Sequence, residues 1–281
     1  MKNSTNKYVK EAYIILDSWN LEQWQPFRTG CKGRPEIYPS NFIDFCSRLR
    51  CVLHLSFRAL QGFLEFLQLH LEIPYVPDYS TLWRRIIQKT IVSQQFTTKK
   101  YNYLIADSSG MSKTTRSGYL DYKWRTRRDF IKIHFGINEF QEIVFFDVTT
   151  EKNGSDSEIA LQQLQNLSHI PKRFYGDGGY DRKEIFKLCN ELGIKPVIPV
   201  RKNAKAKPLA EPLRAKEIKA QKEDLERWKI ENDYFLRTAV ERAFSSFKRR
   251  FGDSCRSLKY ELQSVFRMIE CFVWLQNLEI T

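Results

Sequence analysis

The sequence predicts an α/β fold, a mixed β-sheet flanked by helices, preceded by an all-helical N-terminal domain. Apolar residues recur at helical spacing before residue 95 and alternate at strand spacing from residue 101. Further along, short strands alternate with helices, a pattern that places crossover helices on a sheet. We therefore expect two domains, residues 1–95 and residues 96–281, with an insertion in the second at about 201–228.

The charge balance of the chain points to a polyanionic partner. The 281 residues carry a formal net charge of +13, and aromatic residues make up 14% of them. Such a composition favours nucleic acid before a membrane surface, although some basic proteins are merely soluble. The sequence contains no run of 18 apolar residues, so no membrane span is expected.

Cysteine usage argues against a zinc site and for a reducing compartment. The 6 cysteines are scattered without a CxxC pair, and only 4 histidines are present. Thiols spaced in this way are typical of reduced, structural cysteines in a cytosolic protein. The first residues, MKNSTNKYVKEAY, show no signal-peptide pattern. We therefore expect a cytoplasmic, nucleoid-associated protein.

The helical region contains a candidate DNA-binding unit. Asn41 is predicted to cap one helix, Ser56 to cap the strongly amphipathic helix that runs to Leu71, and Ser80 to cap a short basic helix. The last two helices and their turn could form a helix-turn-helix that brings Arg84 and Arg85 to a DNA groove. The alternative is a helical bundle that simply ends in a basic helix.

The second region reads as three strands with hairpin links, followed by strands that alternate with helices. Asp181 is predicted to cap a helix that Gly193 ends, and Ser155 or Asp156 to cap the helix before it. One charged helix is predicted over residues 212–229. The predicted strands cover residues 101–106, 128–138, 142–149, 173–176 and 195–200, the last at a sheet edge because it holds two prolines.

Two aspartates follow predicted strands directly and are candidate functional residues. Asp107 lies in IADSSGM and Asp177 in FYGDGGYD, both beside small residues that allow a metal or substrate to come close. The alternative for each is an ordinary turn aspartate that binds local backbone. We interpret Asp181, Asp147 and Asp156 as structural, since Asp177 follows its strand without a gap.

A third carboxylate lies in the predicted helix YFLRTAVERAFSSFK. Its polar residues Tyr234, Arg237, Glu241 and Lys248 fall within an arc of roughly 60° on a helical wheel. A carboxylate among cations on a rigid helix suits a divalent cation beside a phosphate, although a solvated face with ion pairs would look similar. The predicted core stripe lies on another side and contains Phe235, Leu236, Val240, Ala243, Phe244, Phe247 and Phe251.

Taken together, the three carboxylates predict a metal site with oxygen ligands only. Asp107, Asp177 and Glu241 are joined by no histidine or cysteine, which favours Mg²⁺ or Mn²⁺, and we expect a pair of ions. Such a pair can activate water and stabilise the leaving oxygen when a phosphodiester is attacked.

Residues 101–281 resemble the DDE transposases of prokaryotic insertion sequences. The helix described above fits the Y-x2-R-x3-E-x6-K signature of the insertion-sequence-four/five-like group at every spacing. The motifs ADSSG and GDGGYD look like the first and second acidic motifs of these enzymes. Residues 56–89 look, less specifically, like the N-terminal helical region of the insertion-sequence-five group.

The resemblance implies an RNase H-like catalytic domain that hydrolyses DNA at transposon ends and then transfers the freed 3′-hydroxyl into target DNA. Asp107, Asp177 and Glu241 would be the catalytic residues and would hold two Mg²⁺ or Mn²⁺ ions. The residues expected to contact DNA near the scissile phosphate are Tyr234, Arg237 and Lys248. Because two ends are joined, a homodimer on double-stranded DNA is expected. The alternatives are a related nuclease or resolvase without strand transfer, and an inactive DNA-binding derivative.

Two basic segments are further candidates for DNA contact. Residues 113–132 interleave aromatic residues with cations, among them Arg125, Arg127 and Arg128, a combination that suits unpaired or distorted strand ends. The insertion could bind the phosphates of the DNA backbone, or it could be a solvated charged helix. Its cations are Arg201, Lys202, Lys205, Lys207, Arg214, Lys216 and Lys219.

Overall fold

The computed structural model of the protein describes residues 37–71, 73, 75–88, 100–112, 130–150 and 155–254. These residues belong to two compact units, one that includes residues 37–88 and one that includes residues 100–254. We describe each unit by itself. The domain boundary at residues 95 and 96 stays a prediction. No helix in the described ranges is both long enough and apolar enough to cross a membrane.

The described part of the first unit consists of three helices. They are α1 (Ser40–Val52), α2 (Phe57–His70) and α3 (Tyr79–Ile87). Leu60 and Leu64 of α2 are completely buried, as are two apolar side chains of α3. The helices agree with the predicted periodicity, but the prediction for residues 1–95 as a whole extends beyond the described ranges.

Of the three helix caps predicted in this unit, one is confirmed and two are wrong. Ser56 caps α2 as predicted and accepts a hydrogen bond from the Ala59 amide at 3.1 Å. The Asn41 prediction is wrong, because α1 already begins at Ser40. The Ser80 prediction is also wrong, because the Asp78 carboxylate caps α3 and accepts from two backbone amides, at 2.7 and 3.1 Å. A carboxylate is as good an N-cap as a serine hydroxyl, so it can define the helix start two residues earlier.

The second unit is built on a mixed five-stranded sheet, which confirms the predicted α/β class. The strand order is β3-β2-β1-β4-β5; β2 is antiparallel to β1 and β3, whereas β4 is parallel to β1 and β5. The strand β5 lies at the edge, as its prolines predicted. The strands are β1 (Tyr103–Ser112), β2 (Phe130–Asn138), β3 (Ile143–Thr150), β4 (Arg173–Tyr175) and β5 (Lys195–Val197).

Helices cover the sheet. A buried cluster joins α4 (Asp156–Gln165) and α5 (Lys183–Leu192) to strand residues such as Leu104 and Phe174. The helix that carries Glu241, α8 (Thr238–Phe251), packs on β2, where Phe244 stacks on Phe135 with ring centroids 4.5 Å apart. Since Phe135 lies opposite Asp107 in the β1–β2 register, α8 covers the face of the sheet that carries Asp107.

The insertion is a packed structure of two helices. The single helix predicted over residues 212–229 is wrong, because α6 (Pro212–Glu223) ends where Asp224 caps α7 (Leu225–Glu231). The Trp228 indole is buried and donates to Glu217 at 2.7 Å. The insertion therefore has a buried side of its own, and the interpretation as a fully solvated helix does not hold.

A buried histidine on β2 should make this unit sensitive to acid. His134 contacts the Thr149 hydroxyl at 2.8 Å, and burial lowers its pKa from 6.5 to about 4, opposed by Asp156 and reinforced by Lys132. As pH falls, the unfolded state therefore takes up a proton on His134 before the folded state does. The contribution of neutral His134 to the free energy of unfolding is complete above pH 6.5 and is lost progressively towards pH 4. We expect His134→Gln to lose less stability than the wild type between pH 7 and pH 5 in urea unfolding. Parallel losses would contradict this assignment.

Candidate active site

Strand register brings two of the predicted aspartates near each other. In the parallel pair β1–β4, Ile105 lies opposite Tyr175, and Asp107 and Asp177 each follow two residues later. The predicted end of the first strand is wrong, because β1 continues through Asp107 to Ser112 alongside β2. Asp107 is thus held within a strand, at the level where β4 ends.

The Asp177 carboxylate lies at the start of a tight turn. It accepts a hydrogen bond from the Gly179 amide at 2.7 Å and caps a short 3₁₀ helix, Gly178–Tyr180. This contact matches the local backbone role considered from the sequence. It uses one carboxylate oxygen, Oδ1, and leaves Oδ2 for another contact.

The signature segment is two helices rather than the single α-helix predicted. Tyr234–Arg237 forms a 3₁₀ helix after Asp233, which has a left-handed φ of 52°, and α8 begins at Thr238. Phe235 is 68% exposed, so its assignment to the core stripe is wrong, and Leu236 is only half-buried. Tighter winding before Thr238 rotates these side chains away from the stripe. The stripe residues that are buried as predicted are Val240, Ala243, Phe244, Phe247 and Phe251.

Arg237 joins two carboxylates that come from opposite ends of the unit's sequence. Its Nη1 donates to Asp107 Oδ2 at 3.1 Å, and its Nη2 donates to Glu241 Oε1 at 2.6 Å. Arg237 and Asp107 are mostly buried, with 21% and 17% of their side chains exposed, whereas 55% of the Glu241 side chain is exposed. The fold therefore brings Asp107, Arg237 and Glu241 into direct contact.

The third carboxylate interacts with this group electrostatically. Burial raises the pKa of Asp107, the Ser108 amide and Arg237 oppose that shift, and the negative charges of Asp177 and Glu241 add to it. Burial likewise raises the pKa of Tyr234. Asp177 and Glu241 therefore both lie close enough to Asp107 to influence its charge.

Tyr234 lies against the insertion as well as the site. Its ring is 5.9 Å from that of Trp228, and its hydroxyl lies 3.4 Å from the Gly176 carbonyl oxygen, just before Asp177. At the other end of α8, the Lys248 ammonium donates to the Gly110 carbonyl of β1 at 3.2 Å. Tyr234, Arg237 and Lys248 thus contact β1 or the turn before Asp177, and Glu241 is joined to Asp107 through Arg237.

A cleft of about 630 Å³ runs from the carboxylates towards basic residues on α8. Asp107 and Glu241 line one part of it and Lys248 and Arg249 another. Arg249 and Ser245 were not among the predicted site residues, although they follow Glu241 by eight and four residues and so share its helix face. The remaining lining residues are Ser108, Ser109, Phe244, Gly252 and Asp253.

The donor chemistry of the site fits a divalent metal ion. Asp107 and Glu241 present carboxylate oxygens, and a cationic guanidinium already bridges them. Oxygen donors are those that Mg²⁺ and Mn²⁺ prefer. In the described part of the chain, however, no three His, Cys, Asp or Glu side chains are arranged so that they could hold one ion. A shared ion would therefore require side-chain movement.

Other predicted DNA contacts are only partly described. On α3 of the first unit, Arg84 is exposed, and Arg85 donates to the Tyr38 carbonyl at 3.1 Å. The residues of the basic aromatic segment selected as DNA contacts, Arg125, Arg127 and Arg128, lie outside the described ranges. Exposed cations of the insertion are Arg201, Lys202, Lys205, Lys207, Lys216 and Lys219.

Arg214 has a structural contact instead. The predicted helix cap at Asp181 is wrong, because α5 begins at Lys183 and the buried Asp181 carboxylate binds Arg214 Nε at 2.8 Å and the Arg201 amide at 2.9 Å. Arg214 also pairs with Glu211 at 3.0 Å. Nothing local in the sequence indicates a contact between residues 33 positions apart.

The chain matches models of known protein families. The model of a family described as transposase DDE domain matches residues 98–276, more than half of the chain. The chain belongs to this family of DDE transposases. A second family model with the same description matches residues 11–116, so the two matches together extend over the helical region and the sheet of this DDE transposase.

Among solved structures, the DDE transposase is similar to a chain in a cryo-EM structure of a simian T-cell lymphotropic virus intasome in complex with PP2A regulatory subunit B56 gamma. The two chains are 11% identical, with a TM-score of 0.30. The match covers 80% of this chain and 64% of that chain. A similarity at this level supports no inference about function.

Proposed function

We propose that the chain is the transposase of a prokaryotic insertion sequence of the insertion-sequence-four/five-like group, with an RNase H-like catalytic domain. It would cut DNA at the ends of its element and join the freed ends to target DNA. The observation that carries the proposal is the contact of Asp107 on β1 with Glu241 on α8 through Arg237, in a cleft that also contains Lys248. Family membership and the signature spacing support it.

The cofactor proposed for this site is Mg²⁺ or Mn²⁺. Asp107, Asp177 and Glu241 would hold one or two such ions, each through carboxylate oxygens. When bound, the ions lower the pKa of water and neutralise charge that develops on the phosphate oxygens. The chain's own residues then mainly orient the DNA strand, because phosphoryl transfer depends on positioning and electrostatics.

Two reactions are proposed for the same site. In the first, a water oxygen bonds to phosphorus, the bond from phosphorus to the 3′ oxygen breaks, and that oxygen takes up a proton to become the 3′-hydroxyl. In the second, this hydroxyl loses its proton as it attacks a target phosphate, and the target's own 3′ oxygen leaves. Lys248 and Arg249 line the cleft beyond Glu241 and could hold neighbouring phosphates in both reactions.

The proposed partner is double-stranded DNA, both the element's ends and the target. The net charge of +13 and the exposed cations of the insertion favour binding along the phosphate backbone. A homodimer on DNA and association with the nucleoid follow from the proposal, because two ends must be held together while they are joined.

The test is cleavage and joining of the element's own ends. Purified protein is incubated with a duplex that carries an end sequence and a label at the 5′ terminus of the strand to be cut, with Mg²⁺, with Mn²⁺ or with EDTA; a duplex with a scrambled end is the control. We expect metal-dependent nicking at the end and transfer of the label into target DNA. Nicking without transfer would indicate a nuclease or resolvase, and DNA binding without nicking would indicate an inactive derivative.

A further inference from the structure

The position of Arg237 suggests how metal and DNA binding are coupled. We propose that its guanidinium takes the place of a metal cation between Asp107 and Glu241, and that a divalent ion displaces it towards a DNA phosphate. This inference rests on the proposed function, since it assumes that these carboxylates bind metal. The signature leads us to expect that Arg237 contacts DNA. The inference gives Arg237 a second partner, the carboxylate pair Asp107 and Glu241.

The geometry of the contact carries the inference. Separate nitrogens of the guanidinium, Nη1 and Nη2, are used for the two carboxylates, at 3.1 and 2.6 Å. A charge-assisted bridge of this kind occupies carboxylates that a shared metal ion would also need. Arg237 and a metal ion would therefore compete for Asp107 and Glu241.

The charge of the site explains why displacement of the Arg237 guanidinium would favour DNA binding. In the structure, one guanidinium faces Asp107 and Glu241 and also interacts with the charge of Asp177. Three carboxylates against one cation leave a negative site that repels a phosphate. A divalent ion neutralises the remaining negative charge of these four groups, and the released guanidinium, which is suited to bidentate phosphate contacts, becomes available.

The location of Arg237 allows the movement without refolding. It is the last residue of the 3₁₀ helix, directly before α8, and 21% of its side chain is exposed. An arginine side chain has several rotatable bonds, so a change of rotamer can move the guanidinium while the backbone stays in place. Asp107 remains fixed in β1, whereas Glu241, with 55% of its side chain exposed, is free to turn towards the ion.

The first test is Mn²⁺ affinity, measured without DNA from the electron paramagnetic resonance signal of free Mn²⁺. Arg237→Gln removes the competitor, and we expect it to bind Mn²⁺ about tenfold more tightly than the wild type. Arg242→Gln is the matched control, because it removes the charge of an exposed arginine one residue after Glu241. We expect it to change the affinity by less than about twofold.

Asp107→Asn separates failure of this inference from failure of the proposed function. If Asp107→Asn weakens Mn²⁺ binding but Arg237→Gln does not strengthen it, the site takes metal and the competition is wrong. If Asp107→Asn leaves Mn²⁺ binding unchanged, the carboxylates do not hold metal and both proposals fail. Thermal unfolding of each variant with and without Mn²⁺ verifies that it is folded.

The second test is the salt dependence of DNA binding, in EDTA and in Ca²⁺, another cation that takes oxygen ligands. Each phosphate contact contributes about 0.9 to the slope of log K against log salt. We expect the wild type and Arg237→Gln to have equal slopes in EDTA, and the wild type alone to gain about one contact in Ca²⁺. A slope that already differs between the two proteins in EDTA would show that Arg237 contacts DNA without metal, and would overturn the proposal.

Discussion

Glu241→Gln is expected to lower metal-dependent DNA cleavage by at least about 100-fold, because groups that merely support metal ligands already account for 10- to 100-fold effects. The substitution keeps the shape of the side chain and removes the negative charge. The amide oxygen can still accept the hydrogen bond that Arg237 now donates at 2.6 Å, so the helix should keep its place. The measurement is the initial rate of nicking on a duplex that carries the element's end.

A matched control for this prediction lies on α7. Glu226 is an exposed carboxylate that pairs with Lys229 on the surface of the insertion, and surface pairs of this kind contribute little. Glu226→Gln should therefore cleave at the wild-type rate. Equal cleavage by Glu241→Gln and the wild type would mean that α8 does not supply an active-site carboxylate.

Asp181→Ala is expected to lower the free energy of unfolding by about 3 to 5 kcal/mol, the usual effect of removing one partner from a buried ion pair. The Asp181 side chain is completely buried, and only 15% of Arg214 is exposed. Without Asp181, the guanidinium keeps Glu211 but loses two contacts, at 2.8 and 3.1 Å, and the Arg201 amide loses its acceptor. Urea unfolding measures the difference.

A double-mutant cycle tests the cause. Asp181→Ala combined with Arg214→Met removes both charges, so the double variant should be destabilised by less than the sum of the two single variants. The pair joins the insertion to the turn that carries Asp177, four residues before Asp181. Additive effects would show that the two side chains stabilise the protein independently and that the pair is not what holds the insertion.

The sequence by itself determined the features that depend on neighbouring residues. Alternation and helical spacing predicted the five strands of the α/β unit and helices α4 and α5 in order, since each pattern reflects which side of an element is buried. Ser56 and Gly193 marked helix ends through contacts and backbone geometry within a few residues. The signature spacing likewise placed Arg237 and Glu241 on one side, because residues four apart on a helix are neighbours.

Only the tertiary structure decided which distant residues meet. Strand register brings Asp107 near Asp177, and the packing of α8 on β2 brings Arg237 to Asp107, 130 residues earlier in the chain. The pairing of Asp181 with the insertion and the 3₁₀ start of the signature segment were likewise missed. Such contacts arise from the combined register and packing of several elements, whereas a local pattern encodes only the buried side of each element.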